Sequence, residues 1–330
     1  MNSARIFYWV EQRMERILDM IKTCVKEKPA YTLRKRASSI SLHIMLIPGI
    51  LLTLLFRYLP LGGIVIAFQR FIPAKGLFGN QKWIGLGNFE YIFTMPNIEN
   101  VLRNTVVIAV SKIVLGLIVP IIVALMLNEV NNKKFKRSIQ TTIYFPYFLS
   151  WIVFAATLKD ILSPSTGIVN HFLTSIGLES IYFLGSNNVF QQTMIWTDVW
   201  KNFGYGTVVY LAAITSIDPC LYEAAIIDGA NRWQQTRHVT LPGMSVIIVL
   251  MCVLSMGNAL NAGFDQIFNL YSPTTYETGD IIDTLVYRLG LENAKFGPAM
   301  AISVFKSIIS FALITSSYWI ADHFFDYRLF

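Results

Sequence analysis

Charge and cysteine are the scarcest features of this sequence. Only 14% of its 330 residues are Asp, Glu, Lys or Arg, against 54% hydrophobic, where a soluble domain carries roughly 25% charged residues. That deficit excludes a disordered chain or a solvated polar bundle and requires lipid as part of the solvent. The three cysteines, Cys24, Cys220 and Cys252, are odd in number and far apart, so they propose neither a disulfide framework nor a metal site. His43, His171, His238 and His323 share no H-x-x-x-H spacing, which leaves a membrane-embedded enzyme without an evident catalytic site. Glycine never precedes lysine, so the G-x-x-x-x-G-K-[ST] phosphate loop is absent.

What the chain does have is long apolar runs. A bilayer core needs roughly twenty apolar residues per helix, and six stretches qualify: 37–56, 105–127, 138–158, 189–217, 243–264 and 296–321. Their charges are few, namely Lys112 in the second, Asp198 and Lys201 in the fourth, and Lys306 in the last. Nine basic residues before position 37, and the cluster Lys133, Lys134, Lys136, Arg137, place those segments in the cytoplasm. Six crossings then return the C-terminus to the same side. The 265–295 loop, with five acids and two bases, faces out. The expected class is an all-α membrane protein with six transmembrane helices and both termini cytoplasmic.

Four regions follow: a cytoplasmic segment at 1–37, a first helix with an outer segment at 38–100, a core at 101–321, and a tail at 322–330. In the first, Ile6, Trp9, Val10, Arg13, Met14, Ile17 and Ile21 recur at helical spacing, which fits an amphipathic helix on the inner membrane face. Within the second, the apolar run 58–68 contains Pro60, Gly62 and Gly63 and reads as a re-entrant or surface piece instead of a seventh span.

The connection between the fourth and fifth spans is longer than a turn requires. Asp218 before Pro219 is a helix start, since the carboxylate caps free N–H groups and proline at the first helical position loses no partner. Gly229 supplies a left-handed stop, and residues 230–239 can form a second short helix that ends before Leu241, Pro242 and Gly243. The alanines beside Glu223 leave a small face that another protein can approach, although a hairpin that merely joins two spans is equally open. A DNA-binding helix-turn-helix is the poorer reading, because Glu223 and Asp228 would repel phosphate.

Glu223-Ala224-Ala225, Asp228-Gly229-Ala230 and Leu241-Pro242 resemble the EAA motif of inner-membrane permeases in binding-protein-dependent ATP-binding-cassette (ABC) importers. Arg103-Asn104-Thr105, Leu127-Asn128-Glu129, Tyr144-Phe145-Pro146 and Tyr210-Leu211-Ala212-Ala213 resemble runs of the carbohydrate branch. The stretch 221–233, with Gly263-Phe264-Asp265-Gln266 and Asp283-Thr284 to Tyr287-Arg288, is similar to the subgroup for complex oligosaccharides and polysaccharides such as alginate. Thr236 departs from the pattern, where many relatives carry an aromatic residue. The resemblance implies a multi-pass chain of the bacterial inner membrane that forms half of a permease heterodimer. It would couple through Glu223, Ala224, Ala225, Asp228, Gly229, Leu241 and Pro242 to two ATPase subunits. Those subunits would hold ATP and Mg, with no cofactor on this chain, and a solute-binding protein would deliver an oligosaccharide from outside. No metal, no nucleic-acid partner and no catalytic residue is implied.

Intramembrane polar residues are costly, so each is a candidate for the solute pathway. Asp198 and Lys201, three apart on one helix face, either neutralise each other or line a watery path. Lys306 lacks a nearby acid in sequence and either lines the path or pairs with a carboxylate of the partner chain. Tyr144, Trp196 and Trp200, with Tyr147, Trp151, Tyr205 and Tyr210, offer ring faces to sugars or serve as packing and interface anchors. Asn258 and Asn261 either hydrogen-bond solute or join helices. An excess of lysine facing water would favour an anionic solute. The alternative, an ion-coupled secondary transporter of a sugar, has no use for the hairpin and shows no inverted repeat.

Overall fold

A computed structural model of the chain describes residues 43–77, 79–257 and 260–325. The amphipathic segment expected at 1–37 lies outside the described residues, as does Asn258. The chain divides into two compact units, Met1–Gly62 and Gly63–Phe330. In the first, the described residues are the start of a 26-residue apolar helix, α1 (His43–Phe68). The run 58–68 is neither a separate span nor a detached surface piece. It continues α1, first as a π turn at Leu54–Tyr58 and then as a tighter 3-10 stretch at Leu59–Phe68, a change of pitch at the helix breakers Pro60, Gly62 and Gly63.

In the second unit a two-residue antiparallel ladder, β1 (Gln69–Arg70) with β2 (Lys82–Trp83), precedes α2 (Gly87–Phe93). The long helix α3 (Ile98–Asn128) packs along α7 (Asn187–Thr215). A glycine permits the close approach: a Cβ on Gly206 would lie 2.9 Å from the Pro120 ring. Tyr210, Ala213 and Ile214 of α7 close over Ala124 at one end. Phe190 and Met194 pack at the other against Ile108, Phe154 and Leu158.

The expected third span is not straight. The basic, amphipathic α4 (Lys133–Tyr144) starts on an Asn132 cap, and α5 (Trp151–Ile161) restarts on a Ser150 cap, with a bend of 107° between them. Pro146 sits in the 3-10 turn Phe145–Phe148 at the bend, where its missing N–H breaks the ladder. A short α6 (Ile168–Ser175) follows. After α7 come α8 (Pro219–Ile227), α9 (Arg232–Gly243) and α10 (Ser245–Met256), with a 58° bend between the last two.

The expected fifth span is also shorter than its apolar run. α10 ends at Met256, and α11 (Phe264–Leu270) begins at Gly263, whose φ is +92°. The predicted outer loop is folded: α12 (Ile282–Tyr287) buries Ile282 and Leu285 against Val101 and Ile302. Asn104 of α3 donates to the carbonyls of Glu277 (2.9 Å) and Asp280 (3.3 Å), and Thr105 Oγ1 accepts from Ile282 N at 2.9 Å. Asp280 pairs with Arg288. Burial alone would lower the Arg288 pKa, but the hydrogen bond and charge of Asp280 outweigh it and hold it above its usual value. Burial also pushes the nearby Tyr271 hydroxyl up to about 12. The last helix, α13 (Phe296–Phe325), completes the unit. Among the described residues three helices are long and apolar enough to cross a membrane, and three bent pairs qualify jointly.

Candidate functional site

Two places collect the residues singled out in the sequence. The first is the hairpin of α8 and α9. Asp218 caps α8 by accepting from Cys220 N at 2.9 Å. Gly229, at φ +77°, ends it, with Ala230 N donating to Ala225 O at 2.9 Å, the 6→1 bond of a left-handed helix stop. Asn231 and Gln234 then form a reciprocal capping box. The second helix does not stop before Leu241. It runs through a π turn, Thr236–Thr240, into Leu241–Gly243, because the widened turn displaces the hydrogen-bond ladder and accommodates the proline.

Tyr222 Oη and Thr240 Oγ1, 2.9 Å apart, tie the two helices, and Gln235 Nε2 donates to Ala230 O at 2.9 Å. Glu223, Ala224, Asp228 and Gly229 are exposed, and Ala225 is half-buried. Around them Leu221, Ile226, Ile227 and Trp233 are exposed at 53%, 61%, 86% and 72%. Together these four form a patch of exposed apolar surface at the hairpin. Its exposed carboxylates, Glu223 and Asp228, can orient a contact.

The second place is a cavity of about 420 Å³ between α3, α7 and the break after α10, lined in part by Lys112, Asp198, Asn202, Tyr205, Ser255 and Asn261. Asp198 does not pair with Lys201. It lies 3.5 Å from Lys112 Nζ, and that ammonium also donates to Ala262 O (2.7 Å) and Gln266 Oε1 (2.5 Å). Gln266 Nε2 in turn donates to Met194 O and Thr197 Oγ1, both at 2.8 Å. The Ala262 carbonyl, just before α11, is thus satisfied by a buried side chain, as non-helical backbone in an apolar setting requires.

Lys201 turns away to the α4–α5 bend. It donates to the carbonyls of Pro146 (3.2 Å), Tyr147 (3.0 Å) and Leu149 (2.7 Å) and lies within 5.3–5.8 Å of the Tyr147, Trp151 and Phe154 rings. A cation among three carbonyls and three ring faces is a brace for the bend. Lys306 finds its carboxylate in its own chain, at Asp283 Oδ1, 2.6 Å away. Among the described residues, two of the three intramembrane lysines are therefore matched by acids and the third is engaged by carbonyls, so the lysine excess does not translate into unpartnered ammonium groups there.

Tyr147 and Tyr205 stack at 4.8 Å and both line the cavity. Trp196 and Trp200 are exposed on α7, Tyr144 is half-buried, and Tyr210 is fully buried in the core. Sequence reasoning missed Asn202 and Ser255. The position of Asn202, four residues after Asp198, puts it on the same helix face and was the available signal; Ser255 had none.

A model of the family described as binding-protein-dependent transport system inner membrane component matches residues 116–326. Over 289 residues, 88% of this chain and 90% of the relative, the sequence is 39% identical to the polygalacturonan/rhamnogalacturonan transport system permease protein YteP of Bacillus subtilis (strain 168). Among solved structures, it is similar to a chain of a bacterial ABC transporter involved in the import of the acidic polysaccharide alginate. There the TM-score is 0.81 at 36% identity, covering 88% of this chain and 98% of the other. A bacterial alginate ABC transporter in complex with an alginate pentasaccharide-bound periplasmic protein matches with a TM-score of 0.80 at 36% identity, covering 88% and 97%.

Proposed function

The chain belongs to the binding-protein-dependent transport system inner membrane components, and from that membership we propose a route from ATP to sugar through its two sites. It is a permease subunit of an ABC importer. The three long apolar helices and one span from each bent pair give six, with both termini in the cytoplasm and the chain in a bacterial inner membrane. The α8–α9 hairpin is the coupling element. Its exposed Leu221, Ile226, Ile227 and Trp233 enter a cleft of an ATPase subunit, and Glu223 and Asp228 orient the contact. Two such ATPase subunits hold ATP and Mg, and a second homologous permease subunit completes the path. ATP-driven closure pushes the hairpins and tips the spans between inward-facing and outward-facing states.

The solute is an oligosaccharide delivered by an extracytoplasmic binding protein. The observation that carries this reading is the cavity at the α10–α11 break, with an ion pair, amides and stacked tyrosines facing one space. Sugars present hydroxyl groups that donate and accept, together with flat C–H faces, and this lining offers partners for both. Acidic oligosaccharides fit through the relatives, which handle polygalacturonan, rhamnogalacturonan and alginate. The test is uptake of oligogalacturonates into proteoliposomes holding the complete importer and its binding protein. ATP-dependent accumulation is expected. Uptake driven by an ion gradient without ATP would overturn the assignment.

A further inference from the structure

A second cavity, of about 550 Å³, lies where α11, α12 and α13 meet, and its lining includes Asn261, Phe264, Asp283, Tyr287, Ser303 and Lys306. Its volume falls in the range of small-molecule sites, about 300–1,000 Å³. Asn261 is exposed and lines the first cavity as well, so the two spaces share a wall residue. One side is a fixed aromatic cluster: Phe264 stacks on Phe268 at 5.1 Å, and Tyr287 meets Phe268 at 4.7 Å and Phe264 at 5.7 Å. Opposite in chemistry is the Lys306–Asp283 pair, whose side chains are 20% and 22% exposed.

That exposure leaves the pair reachable from the cavity. Its one bond, at 2.6 Å, engages one of the three ammonium donors and one carboxylate oxygen, leaving capacity to give to and take from hydroxyls. The two charges also cancel, so the cavity reads hydroxyl pattern and ring face instead of net charge.

Building on the sugar-permease reading, we infer that this second cavity is a further saccharide subsite that holds the pyranose unit next to the one in the first cavity. The ring stacks on the Phe264–Tyr287 wall, Asp283 accepts from one hydroxyl, and Lys306 and Asn261 donate to others. Two adjacent units are then engaged together, which makes the path selective for oligosaccharides over single sugars.

The test is equilibrium binding of galacturonate and of di-galacturonate to the purified permease–ATPase complex. The unsubstituted complex should bind the disaccharide about tenfold tighter than the monosaccharide, the scale of one added stacking and hydrogen-bonding contact. Tyr287→Ala, and the apolar pair Asp283→Leu with Lys306→Met, which removes the hydroxyl partners without changing net charge, should erase that preference while monosaccharide affinity changes less than about twofold. Tyr287→Phe keeps the ring and should keep the preference, which separates stacking from a folding defect. Equal weakening of both sugars, or no preference in the unsubstituted complex, would overturn the subsite. A loss confined to di-galacturonate and absent for a neutral galactose disaccharide would overturn its charge-blind character. Failure of the unsubstituted complex to bind or import any saccharide would strike the sugar-permease reading itself.

Discussion

Two glycines with left-handed backbones divide the molecule into two kinds of helix break. Gly229, at φ +77°, ends α8, and a Cβ built on it meets nothing within 4 Å. Gly263, at φ +92°, opens α11, and its Cβ would lie 2.7 Å from Lys112 Nζ. The same backbone solution serves opposite ends. At the hairpin the break leaves an exposed elbow whose apolar residues are left mostly open by the described residues. At the α10–α11 junction the break is sealed by a buried ammonium, a glutamine and an aspartate drawn from three elements. A buried break must be satisfied within the chain, whereas an exposed one carries no such requirement.

Substitutions sharpen the contrast when ranked by their effect on the fold. Lys112→Met should cost most, about 3–5 kcal/mol, because it leaves Asp198 and the Ala262 carbonyl without their buried partner. Thermal unfolding of the detergent-solubilised complex reads this directly, and a normal melting temperature would mean that the break is not held by that ammonium. Gly263→Ala should follow at about 1–3 kcal/mol, since it adds both backbone strain and a collision with Lys112.

Gly229→Val should cost less, about 1–2 kcal/mol, from backbone strain alone, and Gly229→Asn, which tolerates a left-handed conformation, should recover most of it. Equal losses at the two glycines would erase the distinction drawn between them. Glu223→Lys should change stability least, by under about 0.5 kcal/mol, yet abolish transport by reversing charge at the proposed dock. Normal uptake by that variant would remove the carboxylate from the coupling account.

Local features were well marked in the sequence. The fourth apolar run, expected at 189–217, is α7 at Asn187–Thr215, and the Asp218 cap and Gly229 stop stand where their chemistry placed them. Each is a nearest-neighbour property of the chain. The ion-pair partners were not marked: Lys112 and Asp198 are brought together by packing of α3 on α7, and no short-range pattern reports that distance. The bend after α4 carried a sign in Pro146 that the hydropathy reading passed over. Hydropathy sums apolar character without regard to direction, so a run that turns by 107° reads as one straight span. Likewise the apolar stretch 243–264 gave no sign that its helix stops at Met256, since the break is satisfied by residues from α3 and α11. The second cavity was legible only as its parts, with Lys306 seen and Asp283 and Tyr287 not connected to it.

The central claim is that the α8–α9 elbow receives the force of nucleotide hydrolysis from other subunits. Cross-linking from Ala224→Cys, in a variant whose other cysteines are replaced, tests this in membranes containing the whole importer. The account predicts a cross-link to the ATPase subunit that forms in native membranes and changes in yield when ATP is added. A thiol at position 224 that reaches no nucleotide-hydrolysing subunit, in an importer that still transports sugar, would contradict it.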